Sequence, residues 1–402
     1  MKTRTTCSTL CVLFLLILNS CTKSEMPEVG TGYSKVRMYD DSLVDPRNHA
    51  LRIAAGNGRL LMTYCRSFEG FLYVNGSLLH PPPPQNVWML TDNEGNLVKR
   101  DTIPAGLTMG DILSLPDNSF MVVTYIGVRN LQSSYRSMHL IHIDQNGEMS
   151  AVDSLDLPVA EPIMNAPDVH LRRSQNGNAI LYFNYFSQNY SSRSFVGELN
   201  LNGDFLWNQD WLSYNVTGCV SIPEGGYLFT GAQVGWYYEA DIFVMKTNNT
   251  GDSLWNKTID CGNATGGQII PAGNGNYLFN FNDVNMTTYV SQNYVYEINT
   301  AGEFLKTNSV DFGIGTFLQK APDGVFILNG MDAVYGNVSR QFNTTYITLD
   351  AGLNITEKKL FQKETSDMIN AGCLTSDGKN ACFGVMQCYD KGYYNPALII
   401  MN

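Results

Sequence analysis

The chain has 402 residues, 44% of them apolar, with 26 Lys and Arg against 37 Asp and Glu, a formal net charge of −11. That acidic balance is spread rather than blocked and argues against nucleic acid or anionic lipid headgroups as partners. About 380 residues of one composition type exceed a single compact core, so a repeat array is expected rather than two unlike domains.

Residues 1–20 are set apart from the fold. Lys2 and Arg4 precede the apolar run Leu10–Leu18, which is too short to span a bilayer as a stable helix. The run ends in Leu18-Asn19-Ser20-Cys21, which resembles the lipobox of bacterial lipoprotein signal peptides. The resemblance implies that Cys21 is lipidated and becomes the mature N-terminus, with an ordinary secretory signal as the other reading. Residues 21–32 then form the lipidated cysteine and a short polar tether, and 33–402 the folded domain. A lipid-anchored envelope protein is expected, at the outer membrane.

From residue 33 onward the sequence repeats. One tight turn recurs as Gly56-Asn57-Gly58, Pro116-Asp117-Asn118, Gln175-Asn176-Gly177, Pro223-Glu224-Gly225, Gly273-Asn274-Gly275, Pro322-Asp323-Gly324 and Ser376-Asp377-Gly378. Each precedes a short apolar run such as Phe120-Met121-Val122-Val123, the signature of a strand. A second turn recurs at Gly95, Gly147, Gly203, Gly251, Gly302 and Gly352, so each unit reads as four strands. A period of about 48–60 residues matches four-stranded propeller blades. The seventh unit lacks its second turn and last strand, while an unclaimed strand, Tyr33–Asp40, lies before the first unit. These two facts predict an all-β, seven-bladed β-propeller of antiparallel four-stranded blades, closed by residues 33–39. Strand counting leaves six or eight blades open.

Both tight turns fall on one face of such a disc. The opposite face receives the connections between second and third strands, which read as long and aromatic. They carry Trp236, Tyr237 and Tyr238 after Gly235, and Tyr393 and Tyr394 after Gly392. Those five residues are the expected ligand-binding group, because loops on a rigid scaffold carry binding and aromatic rings offer flat contact area. A glycan or an envelope or surface protein is the expected ligand; tucking against the blade edges is the alternative for any one ring.

Catalytic signatures are absent: no GxSxG, HExxH or phosphate-cradling loop occurs. Asp332, Asp390 and Glu239 read as lone loop carboxylates. No metal or cofactor is expected, since no CxxC occurs and His139 and His142, three apart on a strand, face opposite sides. Of nine cysteines, Cys65, Cys219, Cys261, Cys373, Cys382 and Cys388 lie in the domain. They read either as disulfides, with Cys373, Cys382 and Cys388 competing, or as buried thiols.

Gly203-x-x-x-Trp207 and Gly251-x-x-x-Trp255 resemble the docking repeats of quinoprotein-type propellers, a family of quinone-dependent dehydrogenases and a non-enzymatic envelope assembly lipoprotein. Lys99, Ala151, Lys306 and Thr356 hold the tryptophan position elsewhere, and none is expected to replace a docking indole. More broadly the chain resembles uncharacterised propeller-repeat lipoproteins of Gram-negative bacteria. The resulting expectation is a non-catalytic binding module and not an enzyme. The alternatives are a quinone-type or glycan-cleaving propeller enzyme, or an envelope assembly scaffold.

Overall fold

A computed structural model describes residues 35–39, 51–66, 72–74, 77–79, 85–126, 137–159, 163, 168–187, 191–234, 240–285, 290–310, 314–335, 340–361, 367–388 and 393–401. They form seven four-stranded antiparallel sheets, the blades of a β-propeller. The first blade comprises β2 (Arg52–Gly56), β3 (Arg59–Arg66), β6 (Gln85–Asp92) and β7 (Leu97–Thr102), with a small hairpin of β4 (Leu72–Val74) and β5 (Ser77–Leu79) between β3 and β6. The second runs through β8 (Leu107–Ser114), β9 (Phe120–Ile126), β10 (Ser137–Ile143) and β11 (Met149–Asp156), and the third through β12 (Asp168–Arg173), β13 (Ala179–Phe186), β14 (Ser192–Leu199) and β15 (Phe205–Leu212). The fourth is β16 (Tyr214–Ser221), β17 (Tyr227–Val234), β18 (Ala240–Thr247) and β19 (Ser253–Ile259). The fifth is β20 (Ala264–Pro271), β21 (Tyr277–Asn285), β22 (Val290–Ile298) and β23 (Phe304–Val310), and the sixth β24 (Ile314–Lys320), β25 (Phe326–Tyr335), β26 (Arg340–Leu349) and β27 (Ile355–Phe361).

The seventh blade is shared between the two ends of the domain. Its strands β28 (Asp367–Leu374), β29 (Asn380–Cys388) and β30 (Tyr393–Met401) are completed by β1 (Lys35–Met38), with Arg37 opposite Leu398. The Tyr39 hydroxyl then donates to the Gly95 carbonyl at 2.9 Å and Arg37 Nη2 to Asn96 Oδ1 at 3.0 Å. The closing strand is therefore stitched to the first blade as well as the last. First strands of successive blades touch in a closed circuit, β2, β8, β12, β16, β20, β24, β28 and back to β2, and this circuit lines the axis.

Burial follows the radial position of each strand. The middle strands β3 and β6 are buried on both faces, whereas the outermost strands β7 and β19 are mostly exposed. Each apolar cluster lies between two adjacent blades: Phe120, Val122 and Ile141 of the second pack on Leu61, Trp88 and Leu90 of the first. A sheet buried on both faces needs continuous apolar runs rather than alternation, which is what Leu60-Leu61-Met62 and Val87-Trp88-Met89-Leu90 supply.

The second turns share one chemistry. Each opens on Asp or Asn (Asp92, Asp144, Asn200, Asn248, Asn299, Asp350), whose Oδ1 accepts the backbone N–H groups two and four residues on. Where the first residue is Asn, an acid follows four residues later and accepts from its amide, as in Asn299–Glu303 at 2.7 Å; where Asp92 or Asp350 comes first, Asn96 or Asn354 follows and donates. In the sixth blade the left-handed position is Leu353 (φ 65°), not Gly352. The residue corresponding to the tryptophans is thus Glu357, opposite Thr348, rather than Thr356.

Tryptophan docking is real, and the expectation that lysine cannot replace it is corrected. A Cβ on Gly251 would lie 2.5 Å from Trp207 Cζ3, and Trp255 covers Gly302 while its Nε1 donates to the Thr300 carbonyl at 3.2 Å. Lys99 lays its stem over Gly147 in the same manner, and Lys306 Nζ donates to the Ala351 carbonyl at 2.9 Å. The long aromatic loops are also corrected in part. β25 and β26 extend as a hairpin through most of the stretch expected to be loop, and β29 and β30 pair from Cys388 opposite Tyr393.

Candidate functional site

The residues with the densest chemistry lie on the axial circuit, on β2, β8 and β12. The sequence Asp168-Val169-His170-Leu171-Arg172 alternates polar and apolar, so a strand sends Asp168, His170 and Arg172 to one side and buries Val169 and Leu171 on the other. β8 comes close enough to contact this strand because Gly110 has no side chain: a Cβ there would lie 2.9 Å from Val169 Cβ. A bulge between Met109 and Asp111 then re-aims the next residue toward the neighbouring blade.

Asp111 is the hub. It is 6% exposed, and its Oδ1 accepts the Ile112 N–H at 2.8 Å while Oδ2 accepts the Leu171 N–H at 2.9 Å and Arg172 Nη1 at 3.1 Å. Arg52 Nε stands 3.6 Å from Oδ1. Burial of a carboxylate is tolerated because two guanidiniums and two backbone donors surround it. Burial works against the charge of Arg172, but Tyr182 and Asp111 hold its pKa above the ordinary value.

Arg52 reaches across to the second carboxylate, with Nη2 3.0 Å from Asp168 Oδ1. Asp168, unlike Asp111, is exposed. His170 sits between them, Nε2 3.3 Å from Asp168 Oδ2 and Nδ1 4.0 Å from Asp111 Oδ2, its ring stacked on Tyr182 at 4.9 Å. Asp168 is opposite Asn184 and Arg173 is opposite Ala179, so Asp168 lies toward the face of the inter-strand connections and Arg173 toward the tight turns. Together these groups form a carboxylate–imidazole–carboxylate array, braced by arginines, on the axial strands toward the face of the inter-strand connections. Such an array can hold an oxygen-rich ligand and pass a proton through Asp168 and His170.

None of the expected ligand residues is among the described residues that form this array. Cys21, Trp236, Tyr237, Tyr238, Glu239 and Asp390 are outside the described residues. Tyr393 and Tyr394 do not sit in a loop: their backbone belongs to β30, opposite Cys388 and Gln387. Asp332 likewise falls within β25, opposite Asn343. Cys219, Cys261, Cys373 and Cys382 are free thiols, so the Cys373–Cys382 pairing is not formed; Cys382 is opposite Gly372 and Cys373 opposite Ala381. Burial pushes the Cys261 thiol up to about 11 and that of Cys373 to about 12, and raises Cys219 and Cys382 further. Thiols in that state are poor nucleophiles. Among the described residues no group of three or more His, Cys, Asp or Glu is arranged to hold a metal ion.

No family model and no curated protein matches the chain. Solved structures do resemble it. A catalytically inactive virginiamycin B lyase from Staphylococcus aureus, solved with quinupristin, aligns with a TM-score of 0.53 and 11% identity over 91% of this chain and 99% of that one. An alpha-L-arabinanase from Penicillium chrysogenum complexed with arabinobiose gives 0.49 and 12% over 75% and 95%. A protein of unknown function from Dyadobacter fermentans gives 0.47 and 12% over 91% and 99%. At such identities the likeness shows the fold alone. The expectation that the chain is not an enzyme is corrected: the fold is one that a lyase also has, and β2, β8 and β12 bring together carboxylates that no stretch of the sequence pairs. What the chain shares with these proteins is the β-propeller.

Proposed function

We propose that this propeller is an enzyme that cleaves a hydroxyl-rich substrate, a glycan foremost, at the mouth of its axial channel. One observation carries the reading: Asp111 and Asp168, from different blades, are bridged by the single guanidinium of Arg52 with His170 between them. Two carboxylates touching one guanidinium can lie no farther apart than about 9 Å, under the upper separation that glycoside cleavage uses. Their environments differ as their roles would require. Asp111, buried and ringed by donors, holds Arg52 and Arg172 in place; Asp168, exposed beside His170, exchanges a proton with substrate. Trp236, Tyr237, Tyr238, Tyr393 and Tyr394 are proposed to grip the sugar outside that mouth, on their sequence alone. Incubation of the purified full chain with a panel of neutral and acidic glycans should release reducing ends. Asp168→Asn and His170→Gln should each lower that rate by at least about 10²-fold at unchanged melting temperature. A wild-type protein inert on the whole panel, or an Asp168→Asn variant as active as wild type, would refute the assignment.

Anchoring is a separate proposal, supported by Leu18–Cys21: the chain is a lipoprotein held to the outer membrane of the cell envelope through Cys21. Cys21→Ala should leave the membrane fraction or stall in processing; identical fractionation and mass would count against it.

A further inference from the structure

A cavity of about 230 Å³ lies beside the array, between the tight-turn halves of β12, β16 and β20. Its polar lining is Arg172, Arg173, Ser221 and Gln268, with Val220 and Ile269 among the apolar remainder, and no Asp or Glu lines it. In a chain of net charge −11, a cavity lined by the Arg172 guanidinium and by no acid is locally basic, while Arg173 turns its own guanidinium away to the Ser114 carbonyl. Low-dielectric walls make such a charge count for more than it would on the surface.

Arg172 connects the cavity to the array. Its Nη1 is engaged by Asp111 Oδ2 at 3.1 Å and by the Leu171 carbonyl at 2.6 Å. Nε and Nη2 have no partner among the described residues, so the fork is half used. Gln268 is placed similarly: its Oε1 accepts the Leu318 N–H at 3.3 Å, which turns its amide nitrogen away from that bond and leaves two donors. Ser221 Oγ donates to the Arg173 carbonyl at 3.4 Å and retains its acceptor lone pairs. A guanidinium edge and a carboxamide N–H₂ across a small cavity are the donor set for an oxyanion.

We propose that this cavity is an oxyanion subsite, and that the ligand of the channel carries a carboxylate, sulfate or phosphate group. The cavity is smaller than the roughly 300 Å³ at which pockets for drug-sized ligands begin, so it suits one acidic sugar unit. The inference rests on the channel reading above for where the ligand lies, and not on the chemistry assigned to Asp168. If both hold, the substrate is an acidic glycan with its anionic group seated on Arg172 and its scissile bond near Asp168.

The test is calorimetric titration of the full chain with D-galacturonate, sodium sulfate and D-galactose at constant ionic strength. Galacturonate should bind at least tenfold tighter than galactose, and sulfate should compete with it. Arg172→Gln strips Asp111 of a partner as well as the cavity of a cation, so the informative variants are Arg172→Lys and Gln268→Ala. Each should lower galacturonate affinity by fivefold or more with the melting temperature held. Equal affinity for galactose and galacturonate, no competition by sulfate, or unchanged affinity in both variants would overturn the subsite. Asp168→Asn separates the two readings: it should lose cleavage and keep galacturonate binding. A wild type that cleaves neutral glycans and binds no anion sinks this inference alone.

Discussion

Blades three and five place different residues in one seat. In blade three Glu198 is opposite Trp207; in blade five Glu297 is opposite Lys306 at the same distance from the turn. Both glutamates are nearly fully buried, at 4% and 2% exposure. Glu198 accepts from Trp207 Nε1 at 3.0 Å, Asn178 at 3.0 Å and the Tyr227 hydroxyl at 2.7 Å. Glu297 accepts from Asn274 at 2.9 Å and Asn276 at 2.6 Å, with Lys306 Nζ 2.7 Å away. The fourth strand must therefore supply a donor to the buried acid and a long body to cover the next blade's turn. An indole and a lysine both do so, one by its plane over Gly251 and the other by its ammonium on Ala351. In blades three and five the seat has one geometry and two chemistries.

The largest test of this equivalence is Trp207 itself. Trp207→Ala should cost about 3–5 kcal/mol in urea unfolding, because it removes a large packed ring and one donor to a buried carboxylate. Trp207→Lys, which copies blade five, should cost less than half as much. Equal losses in the two variants would show that the seat in blade three needs the indole after all.

Acid titration sharpens the comparison. Burial pushes the Glu198 carboxyl up, but Tyr227, Asn178, Ser174 and Trp207 together hold it below its ordinary 4.5; for Glu297 burial is likewise outweighed, by Lys306, Asn274 and Asn276. A depressed carboxyl contributes stability that is complete above pH about 4.5 and is lost as pH falls through the lower, folded value. Stability should thus fall on acidification from pH 5 toward pH 3, and Glu198→Gln should flatten that fall. A variant with the same slope as wild type would assign the acid sensitivity elsewhere.

The smallest effect concerns the turns that receive these side chains. Asn299→Asp sets a second carboxylate against Glu303 and should cost about 0.5 kcal/mol. Adding Glu303→Gln should restore stability, since an amide again faces an acid as in Asp92–Asn96. Failure of the second change to rescue the first would show that the pairing of amide with acid is incidental.

The fold was legible because its punctuation is local. Every one of these turns except that at Leu353 carries Gly or Asn at the left-handed position, and the apolar runs between them have the length of strands buried on both sides. The closing strand was legible by subtraction, as a strand without a blade. The hairpins that extend past Asp332 and up to Tyr393 were not, because polar and aromatic residues pair as readily at a sheet's end as they form a loop. The axial array escaped for a different reason. Arg52, Asp111 and Asp168 come from three successive blades and meet only where the first strands converge, so no short window of sequence contains them. Its one local trace was the alternation Asp168-Val169-His170-Leu171-Arg172, which reads as an ordinary strand until its polar side is known to meet Arg52 and Asp111 of other blades. Lys99 and Lys306 were misjudged because the docking position was defined by the indole rather than by what the indole covers.

The shared seventh blade has a consequence for how the chain reaches this structure. Each of the other six blades is built from one contiguous segment, and its hairpins can form as soon as that segment exists. β1 has its partner in β30, across nearly the whole chain, with Lys35 opposite Ile400. Pairing between such distant segments is the slow kind, since the loop must close before any contact rewards it. During synthesis β1 is made first and waits longest. Until β30 arrives, the first blade's Gly95 turn lacks its cover of Arg37 and Tyr39, and the edge of the seventh sheet stays open to a strand from another molecule. Cooperative assembly of the ring is thus gated by its last strand, and the vulnerable species on the pathway is a nearly complete propeller with one unsealed seam.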